Sequence, residues 1–335
     1  MFSKSLLPIV GASAWCLAAT GAMAQQPFKV QQLQTSQRQS ELHGGVSQVP
    51  AAVSAPSLYP GEESDTGSQM LLGSGTHPRW QWINVSLGSQ YLFTSNALLD
   101  DGNKKSTGLL ISSIAADIDA PPVTLGPGQL FARAGYEYQW FNYGLGGANL
   151  HSLDFDSATA HADAEYQLPD QYQIDASVAY TRLLSEANDY AEAYKELVPE
   201  LGLSKSFQIR TNLNLTLNYS ADYRITGQSP FVGQSRSGNN RTDQLVAVTL
   251  DWQVAPKVIL RPFYQFQYSY YPNYYTDHSR TDYLNTVGFS ANYSFNAWSS
   301  IRIFIDYEVL NTNSQIVPGY HKLDAGGGVA AEFKF

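Results

Sequence analysis

Cysteine is nearly absent from this chain of 335 residues, and its one thiol, Cys16, lies close to the N-terminus. A single thiol builds no intramolecular disulfide and no cysteine-rich metal site. Equally missing is any apolar run beyond the N-terminal region that approaches the roughly 20 residues a spanning helix requires, so membrane insertion must use strands. Basic residues are scarce as well: 20 Lys and Arg stand against 29 Asp and Glu, a net charge of −9. That balance argues against nucleic-acid binding, which leaves a basic footprint. No Gly-rich phosphate loop follows a strand and opens a helix, and no metal-ligand spacing recurs, so neither a cofactor nor a metal is expected.

The N-terminus carries the marks of an export signal. Lys4 supplies the positive charge, Leu6 to Ala19 is a short apolar stretch broken by Pro8 and Gly11, and Ala22-Met23-Ala24 before Gln25 has the A-x-A form of a cleavage site. Residues 1–24 are therefore expected to be a cleaved signal peptide. Cys16 follows Trp15, where a lipoprotein signal needs a small residue, so no lipid anchor is expected. Residues 25–79 are rich in Gln, Ser, Pro and Gly without a sustained period, which reads as a disordered segment; a plug or a partner-binding tail is the alternative.

From residue 80 the chain alternates apolar and polar residues with a period of two, the signature of strands with one oily and one wet face. The first strand carries Ile83, Val85, Leu87, Tyr91 and Phe93 on one parity, and the last carries Leu323, Ala325, Gly327, Val329, Ala331, Phe333 and Phe335. The clearest reads without a break from Ile209 through Thr211, Leu213, Leu215 and Leu217 to Ile225. A weak second strand (Leu110, Ile114, Ala116, Ile118) and a sixth around Leu197, Leu201 and Leu203, compromised by Pro199, complete a count of twelve. Short turns are expected at Pro121 to Gly128, Pro169-Asp170, Lys205-Ser206, Ala255-Pro256-Lys257 and Asn296 to Ser299, with longer loops between them. The expectation is an all-β fold: a closed up-and-down antiparallel transmembrane β-barrel over 80–335, about 12 strands, both termini periplasmic. A soluble β-sandwich would keep its outer face polar and would not place aromatics such as Tyr138 and Trp140, or Tyr293 and Phe295, at strand ends.

The leader, the alternating strands and the terminal Phe335 preceded by Phe333 and Val329 resemble Gram-negative outer-membrane β-barrel proteins. The resemblance implies an outer-membrane location, outer-membrane lipids as surroundings, and a last strand, through Phe333 and Phe335, that signals to the barrel-assembly machinery. The stretch Leu87-Gly-Ser-Gln-Tyr-Leu-Phe-Thr-Ser-Asn96 is also similar to porins of the β-barrel porin 2 type.

If the apolar parity meets lipid, the other parity faces the lumen and holds the charges. Arg133, Arg210, Arg261 and Arg302 are expected near the periplasmic side, with Glu165, Asp251 and Glu332 as cross-strand acids, and Glu137 lies on the same parity. Asp222, Asp243, Asp282, Asp306, Glu308 and Asp324 are expected toward the outer side, countered only by Arg224 and Lys322. This predicts an acidic outer vestibule over a charge-paired constriction, and Gly88, Gly135, Gly288, Gly326 and Gly328 on the inward parity are expected to leave open space. A channel passing small hydrophilic solutes, weakly cation-leaning, follows; a non-conducting surface protein with partner-binding loops is the alternative. Catalysis is not expected: His151-Ser152 and Asp277-His278-Ser279 are adjacent in sequence only, and a nucleophile and its base must meet in space with a third orienting group.

Overall fold

The computed structural model describes residues 82–99, 101–185, 190–227, 238–275, 278–296, 298–314 and 317–335. The expected leader and the segment 25–79 lie outside them. The strands are β1 (Ile83–Thr94), β2 (Thr107–Asp119), β3 (Val123–Leu125), β4 (Gly128–Gly147), β5 (Phe155–Leu168), β6 (Tyr172–Ser185) and β7 (Ala191–Arg210). The series continues with β8 (Leu213–Thr226), β9 (Arg241–Ala255), β10 (Val258–Tyr275), β11 (His278–Asn296), β12 (Ser299–Thr312) and β13 (Tyr320–Lys334). Each neighbouring pair is antiparallel. β1 pairs with both β2 and β13, and β2 pairs with β4, so the ring closes as twelve strands while β3 is a stub on β4 alone.

Alternation fixes which face each residue takes, because successive Cβ atoms leave a strand on opposite sides. Leu201 is 65% exposed and Ile303 60%, with Leu87, Leu217, Val246 and Phe289 also exposed around the outside. Polar residues between them are buried inside, among them Asn84, Gln90, Thr249, Gln265 and Ser290. An apolar exterior around a polar interior inverts a water-soluble protein and suits a bilayer. A two-layer sandwich is excluded, since the sheet closes on itself.

Two of the expected short turns differ in the structure. Lys205 and Ser206 are not a turn: β7 runs on to Arg210, and the hairpin is the two-residue connection 211–212. A two-residue turn preserves parity, so one unbroken alternation spans two strands. The connection after β2 also holds the small β3, hidden because three residues are too few to display a period.

The start of β1, the end of β13 and the short connections 169–171, 211–212 and 256–257 share one end of the barrel, called here the terminal end. The end of β1, the starts of β2 and β13, and the described connection 148–154 mark the other, called here the loop end.

Candidate functional site: the barrel interior

The interior is unevenly filled. On β4 the inward residues Arg133, Gly135 and Glu137 are partly exposed, whereas Gln139, Phe141 and Tyr143 nearer the loop end are buried. β5 repeats this, with His161, Asp163 and Glu165 partly exposed and Phe155, Ser157 and Thr159 buried; β6 and β7 follow with Asp175 and Glu200 partly exposed. A recess therefore opens from the terminal end along β4–β7. The opposite wall is more tightly packed, with Arg241, Asp243, Asp251, Asp282, Glu308, Lys322 and Asp324 all buried.

Two layers close the loop half. One is apolar: Leu92, Leu109, Ile111, Phe141, Tyr143, Phe155, Leu183 and Tyr194 form a buried cluster from β1 through β7, with Phe304 of β12 against it. Phe141 and Phe155 stack at 4.3 Å between centroids. Gly326 makes the contact across β13 possible, because it lies opposite both Leu92 of β1 and Phe304 of β12, where a Cβ would strike the Tyr91 carbonyl and Leu92.

The other layer is charged. Tyr194 donates to Glu196 at 3.0 Å. Arg224 reaches Glu196 at 3.3 Å, Asp222 at 3.3 Å and Asp243 at 2.8 Å. Arg241 pairs with Asp243 at 2.7 Å and donates to the Tyr271 hydroxyl at 3.0 Å. Arg280 donates to Asp282 at 2.8 Å while its guanidinium lies 4.7 Å from the Tyr271 ring and 4.9 Å from that of Tyr274. These groups come from β7, β8, β9, β10 and β11, and register explains their crowding: Asp222 faces Asp243 directly and Arg224 faces Arg241. Like charges set opposite each other destabilise a sheet unless an opposite charge lies between them, and the diagonal Arg224–Asp243 bond supplies it.

The site residues expected from sequence fare differently. Arg261 meets Asp251 at 2.5 Å, as expected of a cross-strand pair, and Arg133 meets Asp119 at 2.6 Å, a partner not foreseen. Gln139 donates to Glu137. Arg302 is buried with its guanidinium 5.3 Å from the Phe304 ring, and Glu332 is bonded by Asn84 and Lys334. Arg210 is a correction: a bulge between Gln208 and Arg210 sets it opposite Leu213 beside the turn, its side chain is exposed, and Asp251 is taken by Arg261. The outer vestibule is a second correction. Asp222, Asp243 and Asp282 are countered by Arg241 and Arg280 as well as Arg224, since β9 and β11 begin at Arg241 and His278, ahead of the apolar alternation that marks them in the sequence. The glycines are a third. A Cβ on Gly135 would meet Asp117 and His161, and one on Gly288 would meet Phe263, so neighbouring side chains already use that space.

His161 was overlooked, although its place between Ala160 and Ala162 gives it inward parity; its Nε2 lies 3.2 Å from Asp117 and 3.5 Å from Asp163. Glu196, Arg241 and Arg280 carry little signal in the sequence, since Glu196 borders the strand compromised by Pro199 and the two arginines precede the apolar alternation of β9 and β11. Of the adjacent His and Ser pairs, His151 meets Asp154 at 3.0 Å at the loop end, whereas Asp277 and the side chain of His278 lie outside the described residues. In the loop region, Asp101 accepts from the His321 backbone at 3.0 Å and pairs with Lys104 at 3.0 Å. Burial opposes ionisation, yet the bonds from the His321 backbone and ring and from Lys104 prevail and hold the Asp101 carboxyl at about 2.

Lys322 of β13 is clasped by Glu308 at 3.0 Å and Asp324 at 2.8 Å, with the Tyr320 hydroxyl 3.4 Å from Glu308. Carboxylate oxygens of Asp306, Glu308 and Asp324 all lie within 4.8 Å of one another.

No protein-family model matches the chain, and no curated protein matches its sequence. Solved structures similar to it are remote. An outer membrane channel from Pseudomonas putida F1 is 12% identical, with a TM-score of 0.47 over 77% of this chain and 100% of that one. The transport unit of the autotransporter AIDA-I from Escherichia coli is 10% identical, with a TM-score of 0.45 over 79% of this chain and 94% of that one. A KdgM porin in complex with disordered oligogalacturonate is 11% identical, with a TM-score of 0.40 over 74% and 99%.

Proposed function

We propose that the chain forms a passive channel of the bacterial outer membrane for small hydrophilic solutes, with a weak preference for cations. The observation that carries this reading is the recess along β4–β7, where Arg133, Glu137, His161, Asp163, Glu165 and Asp175 are partly exposed inside a barrel whose outside is apolar. Wet polar surface enclosed by an apolar wall is what a hydrophilic solute needs in order to enter a bilayer. Carboxylates dominate that recess, which favours cations over anions. Toward the loop end the path meets the apolar layer and the ion-pair network, so conduction requires these to part, and openings are brief. Export by the leader, insertion by the barrel-assembly machinery through Phe333 and Phe335, and embedding among outer-membrane lipids belong to the same reading, which assigns the chain no catalysis.

Planar-bilayer recording of the refolded chain tests it. Discrete current steps that reverse toward the cation potential in a salt gradient are expected; no current above background, or anion preference, ends the reading. The burial of nearly every inward group at the loop end favours a second reading, a closed barrel whose loops bind partners or shield the cell. Deleting loop residues without changing solute flux, while abolishing surface binding, would select it.

A further inference from the structure

We propose that Asp306, Glu308 and Asp324 form a binding site for a hard divalent cation of the calcium class on the inner wall between β12 and β13. The site is built by register. Asp306 stands directly opposite Asp324, and Glu308, two residues further on the same face, stands opposite Lys322. Lys322 pairs with Glu308 and Asp324 while Asp306 stands beside them, and one oxygen of each carboxylate lies within 4.8 Å of the others, a separation that a single ion spans with oxygen ligands at about 2.3–2.6 Å. Directly opposed acids repel, and Lys322 compensates only part of that charge.

A second observation concerns particular atoms. Lys322 takes one oxygen of Glu308 and one of Asp324, namely Oε2 and Oδ2. The other oxygens, Glu308 Oε1 and Asp324 Oδ1, are fully buried and meet no protein hydrogen-bond donor. Glu308 is 1% exposed and Asp324 5%. A carboxylate oxygen buried without a donor carries an uncompensated desolvation penalty when the group is ionised, and a coordinated cation removes it. The donors are all oxygen, with no imidazole or thiolate, which selects calcium or magnesium over zinc or copper. Calcium fits better, since its coordination tolerates irregular geometry and mixed ligands, whereas magnesium demands a near-ideal octahedron.

Sequence spacing gave no warning, because the ligands are two residues apart on one strand and lie opposite one another on the next. The site is independent of whether the barrel conducts, and its test needs no current. The refolded full chain in detergent is titrated with terbium, a luminescent calcium substitute excited through a nearby tyrosine; Tyr320, whose hydroxyl is 3.4 Å from Glu308, is placed to do this. The expected result is saturable luminescence that calcium displaces. Asp306→Asn, which takes no part in the Lys322 pairs, is expected to weaken binding by about tenfold or more, while Asp163→Asn in the recess leaves it unchanged. Calcium should also raise the unfolding temperature of the wild type but not of Asp306→Asn. Absence of saturable terbium binding by the folded wild type, or wild-type affinity in Asp306→Asn, overturns the proposal.

Discussion

Arg224 is bonded to carboxylates from three strands, and its side chain is only 6% exposed. Removing it leaves Glu196, Asp222 and Asp243 facing one another with Arg241 as the remaining cation in contact with Asp243. An Arg224→Met variant is therefore expected to lose about 3–5 kcal/mol of stability, the usual cost of stripping one partner from a buried ion cluster. Chemical denaturation in detergent measures it, and Asp243→Asn added to Arg224→Met is expected to recover part of the loss. Asp101 gives a prediction of opposite visibility, outside the membrane. Its folded carboxyl is held down at about 2 against the ordinary 3.8, so the clamp to His321 and Lys104 contributes fully above the unfolded value and is lost as pH falls toward 2. Backbone hydrogen exchange over residues 95–106 should accelerate between pH 5 and pH 2 beyond the intrinsic chemical rate, and Asp101→Asn should erase that difference.

Strands were legible in the sequence to the extent that period two can carry them. Ile83 to Phe93 has the parity and the bounds expected, and Val246 to Val254 has the parity although β9 starts earlier at Arg241, because an apolar face against lipid leaves an alternation at every second residue. Pro199 does not break its strand: it sits opposite Val178 of β6, while the β8 ladder skips it and resumes at Glu200. The sheet therefore carries the missing N–H as a short gap in one ladder while the other runs on. Thr211 and Asn212 were unreadable as a turn because a two-residue connection leaves the alternation in phase. Gly326 is the element-scale position most sensitive to change. A Gly326→Val substitution puts a Cβ into the Tyr91 carbonyl and Leu92, so β1 and β13 are expected to separate locally. The folded barrel should then lose its compact mobility in unheated gels at a lower temperature than wild type, whereas Gly327→Val, on the outer parity, should be milder.

For the whole molecule, parity told which residues face inward and nothing about how tightly they meet there. That depends on side chains of opposite walls, as when Phe304 of β12 reaches the cluster of β1–β7, and no local pattern encodes such a meeting. If the apolar layer is the barrier to passage, trimming it at Phe141 and Tyr194 to Ala should raise the conductance or the open time of the channel severalfold, at about 3–5 kcal/mol of stability each. An unchanged current from a folded double variant would place the barrier elsewhere. The ring is completed where Asn84 bonds Glu332, partners 248 positions apart. Until that seam forms, β1 and the last strand both present raw edges able to capture a neighbour's backbone, so the half-made protein is adhesive and the finished one is not. Contacts so distant in sequence form late and slowly, and once made they can only be undone by parting a whole row of bonds at once. The molecule's durability thus resides in a slow opening step as much as in any depth of its energy well.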